Sequence, residues 1–486
     1  MKTKTRNILI FSVTALLMAA GIYLTQEYRF YNIEGSDLFL YDRAYISDTL
    51  CETGGFALLA ASFDTQFMRI PFAGPLLAAM LYFAASCLIA SVLRRECPSG
   101  AMDGFAFIPA AFMFLCLENG YFRYWGHMAF VMSIVALWWY VTMPEGWKRR
   151  LAAGLIGVPL LYHLSGSAAI VFAVGVCLYE ITDRGVKGLW SMAFPAVFAL
   201  TAFIYVRTSM VSGWAAALTP FMYYSNPSTY FFPLYAWASV PALILASWIF
   251  SRFAIGQKNA LIPVLAGMAV SFFIAGNLYS KVHSEGNYRL LQEEYLADNE
   301  DWGRIVETAD RRRPTYFISY LNLALAEQGH LLERFPYFNP QAISGVMPPI
   351  PNIRYGMSLQ SKVYLAWGYV AAARQSAFDA NMMTPGMRDP RQLKILVQTN
   401  LAAGSYEVAE KYLDILERTL MYRKWAKDMR RFLDDPENVA AFLPAEGVYV
   451  RHDGLKGDLE DIVSANPSQR IALQFLEVYK MMEGMQ

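Results

Sequence analysis

Residues Ile70–Leu93, IPFAGPLLAAMLYFAASCLIASVL, contain no charged side chain in 24 positions. About 20 mostly apolar residues are enough for a helix to cross the hydrocarbon core of a bilayer. A helix is suited to that environment because its backbone N–H and C=O groups are hydrogen bonded within the segment. These residues therefore predict a transmembrane helix.

Eight further apolar segments in the first 279 residues resemble this one, so we predict an all-α chain with about nine spans. The first segment lacks a small-x-small cleavage site and is interpreted as a retained anchor. Residues 151–162 and 166–181 are short, and they form either two spans or one broken helix. The eight segments are Asn7–Thr25, Gly104–Leu117, His127–Met143, Leu151–Tyr162, Gly166–Ile181, Leu189–Val206, Phe231–Phe250 and Ala260–Leu278.

Charge divides the chain into two regions. Residues 1–279 contain 30 charged side chains, whereas residues 280–486 contain 51 in 207 positions. We predict a multi-span membrane domain over 1–279 and a soluble domain over 280–486. The net charge of +1 and the hydrophobic content of 56% disfavour nucleic-acid binding and disorder.

The loops between the segments predict an orientation. With a cytoplasmic N-terminus, the inner loops contain 12 Lys and Arg in about 40 positions, and the outer loops contain five in about 80. Positive residues concentrate on the cytoplasmic side of membrane proteins. We therefore predict a bacterial inner-membrane protein whose odd number of spans places the C-terminal domain in the periplasm.

The C-terminal region shows apolar residues at helical spacing. Its clearest unit, residues 388–419, has two helical stretches separated by Gly404 and followed by Tyr406 and Ala409, a spacing that resembles the tetratricopeptide repeat. Related units surround Gly329 and begin at Trp302, where a helix is predicted to run past Ala309. The interval from Gly329 to Gly404 exceeds the 34 residues of a regular array. Prolines within residues 335–356 indicate an irregular insert, and residues 358–381 are predicted to form a further helix pair with Gly368 as a small contact. Such a domain either binds a protein or peptide on its concave face or only covers the membrane domain.

The predicted first outer loop, residues 26–69, has a net charge of −4. A carboxylate at the edge of a bilayer can act as a general base, or it can hold a divalent cation such as Mg²⁺ against a pyrophosphate. A solvated acidic loop without a chemical role is the alternative interpretation.

Basic and aromatic residues are concentrated at the same predicted face. An Arg fork can donate two hydrogen bonds to a phosphate, while aromatic rings can stack on a sugar or a lipid. An interfacial aromatic belt with snorkelling arginines is the alternative. The candidate phosphate- and substrate-binding residues are Arg123, His127, Arg207, Tyr223 and Tyr224.

Several other functions lack their sequence motifs. The chain has no phosphate-binding Gly-rich loop, no GxSxG, no HExxH and no CxxC, which disfavours ATP-driven transport, a serine hydrolase and a thiolate metal site. Charged residues in the middle of spans are sparse, so a secondary transporter is the weakest hypothesis.

The acidic first loop and the predicted topology resemble the integral-membrane glycosyltransferases that use polyprenyl-phosphate sugars. In those enzymes the first outer loop supplies an Asp or Glu that deprotonates the acceptor hydroxyl. The resemblance implies this catalytic role for Glu34 or Asp37 and a lipid-linked sugar as the substrate.

A second resemblance covers most of the chain. The motifs EGSDLFLY, TGGFA, QF and PFAGPL, followed by YLNLALAEQG and QTNLAAGSYEVAEKYL, are similar to an uncharacterised bacterial family of polytopic inner-membrane proteins with a tetratricopeptide-like C-terminal domain. This resemblance implies an envelope location and no particular activity.

Two functional hypotheses follow. In the first, the protein is a glycosyltransferase-like enzyme that transfers sugar from a lipid-linked donor at the periplasmic face. In the second, it is a non-catalytic assembly or scaffold protein whose repeat domain binds a periplasmic protein partner.

Overall fold

The computed structural model describes residues 3–226, 231–253, 260–309, 315–338, 343–435, 450, 452 and 454–484, without the side chains of 3–10 and 315–317. Every regular element in these ranges is a helix, which confirms the predicted all-α class. The chain forms two compact units: an N-terminal unit of residues 1–33 and 42–283, and a C-terminal unit of residues 34–41 and 284–486. The short segment 34–41, which we call the strap, thus belongs to a unit whose other residues begin only after 242 intervening residues, at Ser284.

Among the described residues, the N-terminal unit contains helices α1 to α12, with the last residue of α1 starting the strap. Their bounds are α1 Thr3–Glu34, α2 Arg43–Cys51, α3 Gly55–Thr65, α4 Ala73–Glu96, α5 Ile108–Cys116, α6 Trp125–Thr142, α7 Trp147–Ser165, α8 Ala169–Arg184, α9 Ala193–Arg207, α10 Trp214–Leu218, α11 Phe232–Ser251 and α12 Leu261–Val282.

Five helical stretches of the described residues are long and apolar enough to cross a membrane, which is fewer than the nine spans predicted. One stretch is 61 residues long and contains α7, α8 and α9 in succession, and the apolar segment Asp103–Cys116 is too short to count. The five stretches are Ala73–Glu96, Trp125–Thr142, Trp147–Arg207, Phe232–Ser251 and Leu261–Val282.

Helices α7 and α8 form an antiparallel hairpin, which decides between the two alternatives for residues 151–181. Arg150 near the start of α7 donates a hydrogen bond to Glu180 near the end of α8 at 2.8 Å. In one continuous helix these residues would lie about 45 Å apart. The chain reverses at Gly166, whose φ of 77° is in the left-handed region that glycine tolerates best.

Close helix packing in the N-terminal unit depends on glycine. An ideal Cβ on Gly154 of α7 would lie 2.1 Å from the ring of Phe194 in α9. Phe194 is fully buried and also packs against Tyr140 of α6, with ring centroids 6.0 Å apart. Small residues at such crossings are typical of helices that associate in a membrane.

Helix α12 leaves much of its apolar surface uncovered within the N-terminal unit. Ile262 and Phe273 are 76% and 68% exposed. In the most apolar part of this helix, only 17% of the residues are buried. A continuous apolar surface of this kind is unfavourable in water and favourable against lipid.

The C-terminal unit is an array of helical hairpins. Its described helices are α13 Glu285–Asp298, α14 Trp302–Glu307, α15 Thr315–Glu327, α16 Leu331–Phe338, α17 Arg354–Trp367, α18 Val370–Met382, α19 Pro390–Ala402, α20 Tyr406–Glu417, α21 Arg423–Asp434, α22 Leu455–Ala465 and α23 Arg470–Gly484. The helix predicted to run past Ala309 therefore ends at Glu307.

Four hairpins of this unit turn in the same way. In each, a backbone N–H bonds the carbonyl five residues earlier, as in the Schellman motif; the donors are Asp301, His330, Tyr369 and Ser405. The residue before each donor has a positive φ, and these residues are Glu300, Gly329, Gly368 and Gly404. The turn at Gly368 thus lies between α17 and α18, where a helix pair is predicted over residues 358–381.

Glu300 is the one of these four positions that carries a side chain, so Glu300→Gly should stabilise the α13–α14 hairpin. The expected gain is about 0.5–1 kcal/mol, because a left-handed backbone is strained for any residue with a Cβ. Gly368→Ala should destabilise its own hairpin by about 1 kcal/mol for the same reason. Amide hydrogen exchange of α13–α18 in the full chain measures both changes, and unchanged opening free energies would contradict the assignment.

Candidate functional site

The N-terminal unit contains an apolar groove of about 240 Å³ between α1, α4, α5 and α12. Thr25 of α1, Phe114 of α5 and Tyr279 of α12 are among the residues that line it. Gly21 and Gly276 also line the groove, and no atom lies within 4 Å of the position that a Cβ would take on either. The two glycines therefore leave room in the groove for an apolar ligand.

A cluster of charged and polar side chains lies within four residues, along the sequence, of the lining residues Thr25, Phe114 and Tyr279. Arg29 donates to the carboxylate of Glu118 at 2.6 Å, and the Nδ1 atom of His283 lies 3.2 Å from it. Gln26 donates to the same carboxylate at 2.5 Å. The side chain of Glu118 is only 3% exposed, so a buried carboxylate with three partners sits next to the groove lining.

Two atoms of this cluster are buried with no hydrogen-bond partner among the described residues. They are the acceptor Oε1 of Gln26 and the donor Nε of Arg29. A buried polar atom without a partner costs about 1–3 kcal/mol. The cluster is therefore suited to a ligand that offers both an acceptor and a donor.

His127 is connected to the groove through Tyr82. The Tyr82 hydroxyl lies 2.9 Å from Nδ1 of His127, and the Tyr82 side chain lines the groove. The ring of Tyr124 lies 5.4 Å from that of His127 and its hydroxyl donates to Asp64 at 3.0 Å. Burial raises the pKa of Asp64, and the hydrogen bond from Tyr124 offsets part of the rise, so this carboxyl favours its protonated form more than an exposed one.

The structure brings four of the five predicted binding residues together around Phe122. Its ring lies 5.2 Å from His127, 6.3 Å from Tyr223 and 5.1 Å from Tyr224. The backbone N–H of Arg123 donates to the carbonyl of Tyr223 at 2.9 Å. These residues close a buried aromatic core: His127 is 1% exposed and Tyr223 is fully buried.

Tyr223 uses its hydroxyl for hydrogen bonds within the protein. The Tyr223 hydroxyl donates to the carbonyl of Ser165 at 2.6 Å and accepts from the N–H of Ala168 at 2.9 Å. Burial raises the pKa of the Tyr223 phenol. Arg207, the fifth predicted residue, lies exposed at the end of α9 with its guanidinium 5.4 Å from the ring of Phe203, and no described contact joins it to the other four.

Glu34 and Asp37, the predicted catalytic acids, lie in the strap and are buried. The Glu34 carboxylate accepts a hydrogen bond from the Tyr422 hydroxyl at 2.7 Å and one from Arg391 at 3.3 Å. Both partners belong to the C-terminal unit. These contacts give Glu34 a structural role, and its catalytic role stays a prediction, as does that of Asp37.

A buried polar network extends from Arg391 into α13 and α17. Arg391 lies 3.9 Å from Asp298, which pairs with Lys362 at 2.7 Å. Burial alone would raise the pKa of the neighbouring Glu294, but Lys362, Arg354 and Arg391 hold it below its ordinary value. The charges of this network are thus mutually paired across several helices.

The structure offers no metal centre within the described residues, since they include no group of three or more His, Cys, Asp and Glu side chains that could hold an ion. The sequence analysis named a divalent cation such as Mg²⁺ as a candidate cofactor, and that hypothesis gains no ligand set here. The predicted site residues did not include Glu118, Arg29, Gln26 or His283, because their pairing joins three segments that are far apart in the sequence.

Arg391→Met should destabilise the C-terminal unit by about 3–5 kcal/mol, because it leaves the buried Glu34 carboxylate without its cation. Combining it with Glu34→Gln should restore part of the loss. Arg289→Met is the matched control, since Arg289 pairs with Glu285 at an exposed site and such pairs contribute about 0–1 kcal/mol. Hydrogen exchange in α19 and α21 measures the effect, and equal losses for the two single Arg variants would refute it.

The comparisons with known proteins show a family. No curated protein and no solved structure matches the chain. Residues 2–484 match a family of unknown function, DUF6057, which confirms the prediction of an uncharacterised family. Because the match covers nearly all of its residues, the chain belongs to the DUF6057 family.

Proposed function

We propose that the N-terminal unit binds a lipid-linked sugar phosphate, with the lipid chain in the groove and the head group at the Glu118 cluster. The observation that carries this proposal is the apolar groove whose lining helices continue directly into a buried charged cluster. A phosphate oxygen would accept from Arg29 Nε, and a sugar hydroxyl would donate to Gln26 Oε1. Both atoms lack a partner among the described residues.

The reaction we propose is glycosyltransferase-like. An acceptor hydroxyl attacks the anomeric carbon of the sugar, the bond from that carbon to the phosphate oxygen breaks, and the lipid phosphate leaves. A base takes the hydroxyl proton. Glu118 is a buried carboxylate four residues after the groove residue Phe114, and we assign it this role ahead of Glu34, which belongs to the C-terminal unit.

The five residues predicted to bind phosphate and substrate have a smaller role in this proposal than the groove and the Glu118 cluster. His127 contacts the groove residue Tyr82, so it is suited to positioning that residue. We propose that aromatic and basic side chains surround the substrate, as the sequence predicts; these are Arg123, Arg207, Tyr223 and Tyr224.

Gly276→Leu tests the groove because it places a side chain in open space without a backbone clash. We expect transfer of labelled sugar from a polyprenyl-phosphate donor by the purified protein in lipid to fall about tenfold or more, a loss of about 1.4 kcal/mol in binding. Gly286→Leu in α13, where a Cβ also meets no atom within 4 Å, is the matched control. Full transfer by both Gly276→Leu and Glu118→Gln would refute the proposal.

The topology we propose is a nine-span inner-membrane protein with a cytoplasmic N-terminus and a periplasmic C-terminal unit. It is supported by the three helices within Trp147–Arg207 and by the distribution of positive residues in the loops.

Single cysteines test this orientation in a Cys51→Ser background. Ser468→Cys lies on the exposed surface of the C-terminal unit, and Val186→Cys lies in a predicted inner loop where Val186 is 83% exposed. A membrane-impermeant maleimide added to intact cells should label Ser468→Cys and should label Val186→Cys only after the inner membrane is opened. The reverse pattern would contradict the topology.

A second candidate function is the non-catalytic assembly factor. The left-handed turn residues Glu300, Gly329, Gly368 and Gly404 lie 29, 39 and 36 residues apart, close to the 34 residues of a tetratricopeptide repeat. We propose on this basis that the C-terminal unit is tetratricopeptide-like and binds a periplasmic protein partner. Crosslinking that recovers a stoichiometric partner on this unit, together with absent sugar transfer, would favour this function.

A further inference from the structure

The strap, residues 34–41, is held by the C-terminal unit in the way that a domain holds a bound peptide. After α1 ends at Glu34, the strap contains no helix and continues as an irregular chain to residue 42. Among its contacts are Arg391, Arg418 and Tyr422, which lie 350 or more positions later in the sequence. Its place in the fold therefore depends on recognition by a distant part of the sequence.

The first element of recognition is a carboxylate clamp. The two oxygens of Glu34 have different partners, with Tyr422 bonded to Oε1 and Arg391 bonded to Oε2. Glu34, Tyr422 and Arg391 are 2%, 3% and 6% exposed. Charge-assisted hydrogen bonds of this kind are about twice as strong as neutral ones, so the clamp selects a carboxylate.

The second element is a preference for glycine at the next position. The guanidinium of Arg391 covers Gly35 so closely that an ideal Cβ there would lie 2.5 Å from Nη2. A larger residue would push away the same cation that binds Glu34. The clamp thus recognises an acidic residue followed by glycine.

The third element is an apolar segment with a main-chain anchor. Leu38, Phe39 and Leu40 are 8%, 9% and 4% exposed. The N–H of Tyr41 donates to the carbonyl of Arg418 at 2.7 Å. Backbone bonds and buried side chains together are the usual basis on which an extended peptide is recognised.

The receiving surface lies where α19 begins, α20 ends and α21 begins. These helices pack on one another through their own buried side chains, including Ala409, Leu413 and Ala426. The main core of the C-terminal unit is built around Tyr320, Trp367 and Phe475. The surface is therefore assembled by helices that have their own packing.

We propose that this surface is a peptide-recognition site, that residues 34–41 occupy it as an intramolecular ligand, and that a partner protein competes for it with a segment of the same chemistry. That segment carries a carboxylate and an adjacent glycine. After two further residues, an apolar run follows that ends in an aromatic residue. The proposal supplies the partner chemistry for the second candidate function, and it is independent of the groove.

The test uses the full chain in lipid nanodiscs and an acetylated synthetic peptide of the sequence EGSDLFLY. Excess peptide should increase amide hydrogen exchange in residues 38–41 of the protein while the start of α19 stays protected. For a peptide with Gln in place of Glu, about tenfold higher concentration should be needed for the same increase in exchange, because the charge-assisted bonds are lost. A peptide with Val in place of Gly should also be needed at higher concentration, because the Arg391 guanidinium must shift to admit the larger side chain.

A variant with a weakened strap extends the test to the case in which the peptide does not displace the strap of the natural chain. Glu34→Gln in the protein weakens the strap and leaves the receiving residues Arg391 and Tyr422 unchanged, so the EGSDLFLY peptide should displace the strap of this variant at lower concentration. The proposal is overturned if that peptide releases the strap in neither protein, or if the Gln and Val peptides compete as well as EGSDLFLY does.

Discussion

A carboxylate removed from water is destabilised by several kcal/mol unless cations and hydrogen-bond donors replace the solvent. Several carboxylates among the described residues are buried in that way, and three of them join distant elements. Glu180 is paired with Arg150 and Arg184 and joins the ends of α7 and α8. Glu118 is paired with Arg29 and His283 next to the groove. Glu34 is held by Arg391 in the C-terminal unit. Each pairing fixes elements that are distant in the sequence, so the arrangement of the helices depends on them.

Local patterns made much of the fold predictable. The apolar segments identified most helices of the N-terminal unit, and Gly329 and Gly404 identified two hairpin turns. The turn at Glu300 was missed because its left-handed residue is not glycine. Length and composition alone count five stretches among the described residues. Three of the predicted spans lie within the single stretch Trp147–Arg207, and Asp103–Cys116 is shorter than a span.

Long-range pairing could not be predicted from the same patterns. Nothing in the local sequence of EGSDLFLY indicates that Glu34 bonds Tyr422, nearly 400 positions away. An acidic residue after a predicted span fits a catalytic base as well as a structural ion pair, and only the identity of its partner separates the two. The same holds for Glu118, which the sequence places in an aromatic loop and the structure places against Arg29, Gln26 and His283.

The two units suggest two kinds of chemistry within one chain. The N-terminal unit offers an apolar groove with a buried acid beside it, which suits an amphiphile with a polar head. The C-terminal unit offers paired charges and a bound strap, which suit recognition of a peptide. A lipid-dependent enzyme with a partner-binding domain would use both.

The most direct measurement is an experimental density map of the full chain in nanodiscs that contain a polyprenyl-phosphate sugar. The account predicts elongated density between α1, α5 and α12 that ends beside Arg29 and Glu118. A groove that is filled by protein side chains, or a lipid head group bound far from Glu118, would contradict it.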